Sequence, residues 1–168
     1  GVVETQSMPS GALVHDLSIK CGVQQHHVAL ICVNPDSLAG SVLTASRSVQ
    51  WTLMKLHMLN FNIKRIVSGY GICPLGAVGG GLNRAVGQAY DQLIYHSKVT
   101  LYAVGDDETL ASVVTQLPSN TSSLYGQRAE TLLRLDQDPT CQIDAGLMAP
   151  ASVCIQNIET GVCHQSDM

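Results

Sequence analysis

Arg47 and Gln50 are the pair whose types and spacing point most directly to chemistry. Side chains three positions apart share one face of a helix, and the pattern around them predicts a helix. A planar, permanently charged fork beside a hydrogen-bonding amide suits an anionic or pterin-like polar ligand, and it suits the orientation of a water. The same two residues also make an ordinary solvated helix face, so spacing alone leaves both readings open. Two other stretches offer hydroxyls and backbone amides: Ser68-Gly69-Tyr70-Gly71, and the loop Pro118 to Gly126 with Ser119 near its start. Both follow predicted elements of an α/β pattern, where ligands gather at the carboxyl ends of strands. Turn chemistry accounts for the same residues. Gly69 and Gly71 lack the third glycine of a dinucleotide fingerprint. The histidines stand at no metal-ligand spacing, and no H-x-x-x-H or H-E-x-x-H occurs. The cysteines at 21, 32, 73, 141, 154 and 163 form no C-x-x-C pair. Cys73, before Pro74, is the only exposed-looking thiol and reads as structural.

These residues need elements to hold them. Short β-branched runs alternate with amphipathic stretches, which predicts an α/β fold, a layered sheet with flanking helices. The run His27 to Val33 reads as a buried strand ended by Asn34-Pro35-Asp36. Asp36 or Ser37 then caps one long helix reaching about Leu59, with Leu38, Val42, Val49, Leu53 and Leu56 facing the sheet. A strand over Ile63 to Val67 leads into a glycine turn at Ser68 to Gly71, and Gly76 to Gly81 reads as a mobile loop. A helix over Ala85 to Tyr95, a strand over Val99 to Val104 and a helix opened by Asp106-Asp107-Glu108 follow. A helix from Gln127 to Leu135 and a strand from Ser152 to Ile158 complete the pattern. Residues 1–168 read as one domain, without an internal repeat.

Composition narrows the function classes. A net charge of -4 with nine Lys and Arg gives no basic field for phosphates, which argues against nucleic acid as a partner. No run approaches the roughly 18 apolar residues of a membrane span, and no basic-then-apolar leader is visible, so no membrane partner is expected. With 45% hydrophobic residues the chain can build a core without disulfides, and reduced thiols in a cytoplasmic protein are the simpler expectation. Gly1 opens a strand-like run without an initiator Met, as if the chain continued a longer one.

A wider set of landmarks is similar to one enzyme family. Gly40-Ser41-Val42, Ala45-Ser46-Arg47, Lys55-Leu56-His57, Arg65 to Gly71 and Pro74 resemble methenyltetrahydromethanopterin cyclohydrolase. Asp91, Ile94-Tyr95, Leu101, Asp106-Asp107, Leu117-Pro118-Ser119, Tyr125-Gly126, Ile143-Asp144, Ala149-Pro150-Ala151 and Thr160-Gly161 continue the resemblance in order. It implies hydrolysis of a cyclic amidine, methenyl- to formyl-tetrahydromethanopterin, in the one-carbon metabolism of methanogenesis and formaldehyde oxidation. No metal or redox cofactor is implied, and the pterin is the substrate. In the family the matching helix supplies an Arg and, three residues later, a Glu that activates water; Arg47 keeps the first, and Gln50 stands in place of the second. The matched stretches imply substrate-binding positions at Ser41, Ser68, Gly69, Asp91 and Ser119.

Three departures accompany the resemblance. Gln50 can hold a water yet cannot take its proton, and loss of a general base costs about 10²–10⁴ in rate. Gln88-Ala89-Tyr90-Asp91 replaces the family's Arg-Thr-Asn-Asp, after a loop altered to Gly79-Gly80-Gly81. The chain matches only the family's C-terminal half, which implies one lobe of a two-lobed cleft enzyme, completed by a longer chain, by a separate N-terminal half or by a homo-oligomer, or a relative that dispenses with the other lobe. Two functions follow: a cyclohydrolase or a portion of one, and a non-catalytic pterin-binding or subunit homologue.

Overall fold

The computed structural model describes residues 1–133, 144 and 146–166. The chain is mixed α/β, with a two-stranded sheet and a four-stranded sheet among the described residues. Strand β1 (Val2–Glu4) lies parallel to β2 (Ile31–Val33), in the register Val2 to Ile31 and Glu4 to Val33. Parallel strands need a crossover, and helix α1 (Gly11–Cys21) supplies it. Ser10 accepts from the Leu13 N–H at one end of α1. Gly22, at φ 65°, closes the other with the Val23 N–H on the Ser18 carbonyl. The buried strand expected from His27 is shorter and more open. Residues Gln25–His27 form a 3₁₀ turn, and Ile31 is 64% exposed, because among the described residues β2 has only β1 beside it.

The single long helix expected from Ser37 to Leu59 is two helices. Ser37 caps α2 (Leu38–Ser46) as expected, and α3 (Ser48–Met58) follows after a break at Arg47. There the backbone sits at φ -87°, ψ 3°; the Arg47 N–H bonds the Thr44 carbonyl three residues back, and the Arg47 carbonyl starts the next ladder at Trp51. No Gly or Pro marks this break. Its effect is to separate the expected apolar face in two. Leu38 is 61% exposed and Val42 is exposed too, whereas Val49, Leu53 and Leu56 pack on the core. Helix α2 sits close on the preceding turn, since a Cβ on Gly40 would lie 2.6 Å from the Pro35 Cα and carbonyl oxygen. Gly40→Ala is therefore expected to destabilise the chain by about 1–3 kcal/mol in urea unfolding, as overpacking against backbone does.

The expected glycine turn at Ser68 to Gly71 is instead part of β3 (Ile66–Ile72), which starts after a 3₁₀ turn at Ile63–Arg65. The strand pairs antiparallel with β4 (Lys98–Ala103), Gly69 opposite Leu101 and Gly71 opposite Val99, with a bulge between Ile66 and Ser68. Glycine is needed here for close approach. A Cβ on Gly69 would lie 2.7 Å from the Leu101 side chain, and one on Gly71 would collide with the Ser48 hydroxyl.

Helix α4 (Leu82–His96) connects β3 to β4; helix α5 (Asp107–Val114) follows, then α6 (Ala129–Leu133). Strand β5 (Ser152–Asn157) runs parallel to β4, and β6 (Cys163–Gln165) runs antiparallel to β5, giving the order β3-β4-β5-β6. Leu56, Leu101, Leu110, Leu117 and Ile155 are fully buried between this sheet and helices α3 and α5. A second apolar cluster joins Leu93 and Ile94 of α4 to Ala129, Leu147 and Met148. Asp106 caps α5 as expected, accepting from the Thr109 N–H at 2.8 Å. Hydrogen bonds from Thr109, with Arg65 alongside, hold its carboxyl at about 2. Helix α1 and strand β6 are not among the elements expected from the sequence. The expected helix end at Leu135, and Cys141, Ile143 and Ala145, lie outside the described residues.

Candidate functional site

The end of β1 and the joint between α2 and α3 meet at Arg47. Glu4, the last residue of β1, pairs with Val33, after which the chain turns into α2 and delivers Arg47 at its far end. Arg47 Nη1 donates to Glu4 Oε1 at 3.3 Å, and its Nε donates to Gln50 Oε1 at 3.2 Å. The guanidinium also lies over the Trp51 ring, 5.0 Å from its centroid. The fork is thus held from three sides. The side chains of Arg47 and Glu4 are 29% and 25% exposed, so the pair is partly desolvated yet still reaches solvent. Beside it opens a cavity of about 620 Å³ lined by Val2, Val3, Glu4, Leu43, Ser46, Arg47 and Gln50. That volume falls in the range of small-molecule sites. From α4, Tyr90 lies within the field of the same charges. Burial raises its phenol pKa first, the Glu4 charge raises it further, and Arg47 opposes both.

The other expected residues divide by position. Ser41 is buried on α2, before Arg47, and its hydroxyl donates to the Gly76 carbonyl at 3.0 Å, tying α2 to the stretch before α4. Ser68 and Gly69 are exposed on β3, two to three residues before Gly71, which touches Ser48 next to Arg47. Asp91 follows Tyr90 but accepts from the Ala129 N–H at 2.8 Å, holding α6, and burial raises its carboxyl pKa. Ser119 is fully buried; its hydroxyl donates to the Ile94 carbonyl and its N–H to the Pro150 carbonyl. The structure therefore brings Arg47 and Gln50 together, and engages Ser41, Asp91 and Ser119 in bonds between elements.

Glu4 is the cavity-lining residue that sequence reasoning missed. It lies 43 positions from Arg47 and joins it only because β1 pairs in parallel with β2. The available signal was a carboxylate ending a strand-like run, at the carboxyl end where α/β ligands gather. The reading of Cys73 as the only exposed thiol is also corrected. Cys73 is half-buried, and burial pushes its thiol up to about 11, while Cys21 and Cys163 are exposed. Among the described residues no group of three or more His, Cys, Asp and Glu is placed to hold a metal ion. No described helix is long and apolar enough to cross a membrane.

A family model described as Cyclohydrolase (MCH) matches residues 1–167. The chain belongs to this family. The methenyltetrahydromethanopterin cyclohydrolase of Rhodopirellula baltica is 31% identical over 163 residues, 96% of this chain and 49% of the relative. That of Methylobacterium nodulans is 32% identical over 166 residues, 98% of this chain and 51% of the relative. That of Methanocella arvoryzae is 31% identical over 159 residues, 95% of this chain and 49% of the relative. The chain spans about half the length of the curated relatives it matches.

Proposed function

We propose that this chain carries the water-activating wall of a methenyltetrahydromethanopterin cyclohydrolase, with Glu4 rather than residue 50 accepting the proton. The observation that carries the reading is the guanidinium of Arg47, which bonds both Glu4 and Gln50 in the lining of the cavity. The methenyl carbon of the substrate lies between two nitrogens and bears delocalised positive charge, so it needs a positioned water and a base more than further activation. Gln50 and Arg47 orient the water. Its oxygen bonds to the methenyl carbon while one proton passes to the Glu4 carboxylate. The carbinol intermediate then loses its hydroxyl proton and forms the formyl C=O as one C–N bond breaks and that nitrogen takes a proton. Per turnover one water is consumed and one proton is released, which balances the loss of the cation's charge. Glu4 also opposes the charge of Arg47, which would otherwise repel a cationic substrate.

The same reading makes the chain one lobe of a two-lobed cleft. Its support is the half-length match together with apolar side chains left exposed on the elements around the site, such as Ile31, Leu38, Val67 and Ile72. Ser41, Ser68, Gly69, Asp91 and Ser119 then belong to the pterin-binding wall, Ser41, Asp91 and Ser119 by holding its elements in place and Ser68 and Gly69 from the surface of β3.

A second reading, pterin binding without turnover, rests on Gln50. Calorimetry with methenyltetrahydromethanopterin, coupled to loss of methenyl absorbance, separates the two. Binding with hydrolysis faster than buffer is expected. Binding alone would favour the second reading, and absence of both would overturn the family's chemistry for this chain.

A further inference from the structure

Cys154 and Cys163 face each other on the two strands at the end of the four-stranded sheet, away from the elements that line the cavity. In the β5/β6 register Gln156 lies opposite Cys163 and Cys154 opposite Gln165, so the two cysteines share one face on a diagonal. It is the solvent face, since Val153, Ile155 and Asn157 of β5 are buried on the other side. Their sulfurs lie 2.6 Å apart. That is an intimate contact between two thiols, little longer than the roughly 2.05 Å of an S–S bond. On the opposite face His164 meets Asp107 at 2.9 Å, and Asn157 and Thr160 bond the same carboxylate oxygen, so the hairpin between the cysteines is clamped to α5.

We propose that Cys154 and Cys163 are a reversible dithiol/disulfide couple that accepts oxidising equivalents from small organic disulfides and, when oxidised, fastens β6 to β5. Cys163 is the exposed partner and reacts first. Its thiolate attacks one sulfur of the organic disulfide, forms a mixed disulfide and expels one thiolate. Cys154 then gives its proton to solvent base and attacks the Cys163 sulfur, expelling the second thiolate. The protein loses two hydrogens, and the organic disulfide is reduced to two thiols. The thiol of Cys154 is pushed up to about 12 by burial and by the neighbouring sulfur of Cys163, so the second step is the slow one.

The test uses the whole chain, reduced with dithiothreitol and then incubated with oxidised glutathione at about pH 8, near the titration range of a free thiol. Remaining thiols are blocked with iodoacetamide, and the chain is cut after Asp144 and Glu159, which places Cys141, Cys154 and Cys163 on separate peptides. Mass spectrometry is expected to find the Cys154 and Cys163 peptides joined, and dithiothreitol is expected to release them. The oxidised chain should melt about 5 °C above the reduced one, since a short covalent loop constrains the unfolded state. C154S should stop at the glutathione adduct on Cys163, and both C154S and C163S should lose the melting shift while keeping the circular-dichroism spectrum. Recovery of both peptides singly blocked or singly glutathionylated, or Cys163 joined to a different cysteine, would overturn the proposal.

Discussion

Glu4→Gln is expected to lower the rate of methenyltetrahydromethanopterin hydrolysis by about 10²–10⁴-fold, the range for loss of a general base. The reason is local. Of the residues lining the cavity, Glu4 alone carries a carboxylate, while Gln50 already gives its carbonyl oxygen to Arg47 and offers only an amide donor beyond it. The substitution is nearly isosteric, so an amide oxygen can still accept from Arg47 and the fork stays in place. Pterin affinity measured by calorimetry should fall with the lost counter-charge to Arg47 but change far less than the turnover rate, the signature of an interaction used in the transition state. Gln50→Glu places a second carboxylate on the face shared with Arg47 and is expected to raise the rate. In the Glu4→Gln background the same change should restore most of what was lost. A Glu4→Gln variant with wild-type turnover would remove Glu4 from the mechanism.

The contrast between Gln50 and Glu4 shows which parts of the site a sequence exposes. Arg47 and Gln50 were legible because their relation is local: three positions settle it even with Arg47 at the cap of α3, and the bond between them is present. Glu4 was not, because its place beside Arg47 comes from strand pairing and a crossover helix, and neither is written in the residues near either one. The fold divides in the same manner. Helices α4 and α5 and strands β4 and β5 announced themselves through periodicity and caps, Asp106 being the clearest case. The break at Arg47 carries no Gly or Pro, so a continuous pattern concealed a joint. Gly69 and Gly71 misled in the opposite sense. Glycine serves turns and close backbone contacts alike, and only the positions of Leu101 and Ser48 decide between them.

Lys55→Met is expected to destabilise the chain by about 2–4 kcal/mol at neutral pH, the range for buried polar groups that lose a charged partner. Lys55 is 5% exposed on α3, and its ammonium donates to the carbonyls of Pro118 and Gly146 at 2.8 Å and to the Thr121 hydroxyl at 2.9 Å. It thereby pins the loop after α5 and the segment before β5 against α3, the helix that carries Gln50. Methionine fills similar space but removes the ammonium from the Gly146 carbonyl and leaves the Pro118 carbonyl only its bonds from Thr121. Burial lowers the Lys55 pKa from 10.5 to about 8, with the Asp144 carboxylate opposing the shift. Below about pH 8 the folded and unfolded chains both hold this proton, and the cost of burying the charge is present in full. Between there and 10.5 the unfolded chain binds the proton more tightly than the folded one, so the contribution of Lys55 to stability increases with pH across that window. The stability difference between wild type and Lys55→Met, from urea unfolding at about pH 7 and about pH 9.5, should accordingly widen at the higher pH. Equal differences at the two values would mean that Lys55 titrates as it does in the unfolded chain, and the three hydrogen bonds would then have to offset its burial completely.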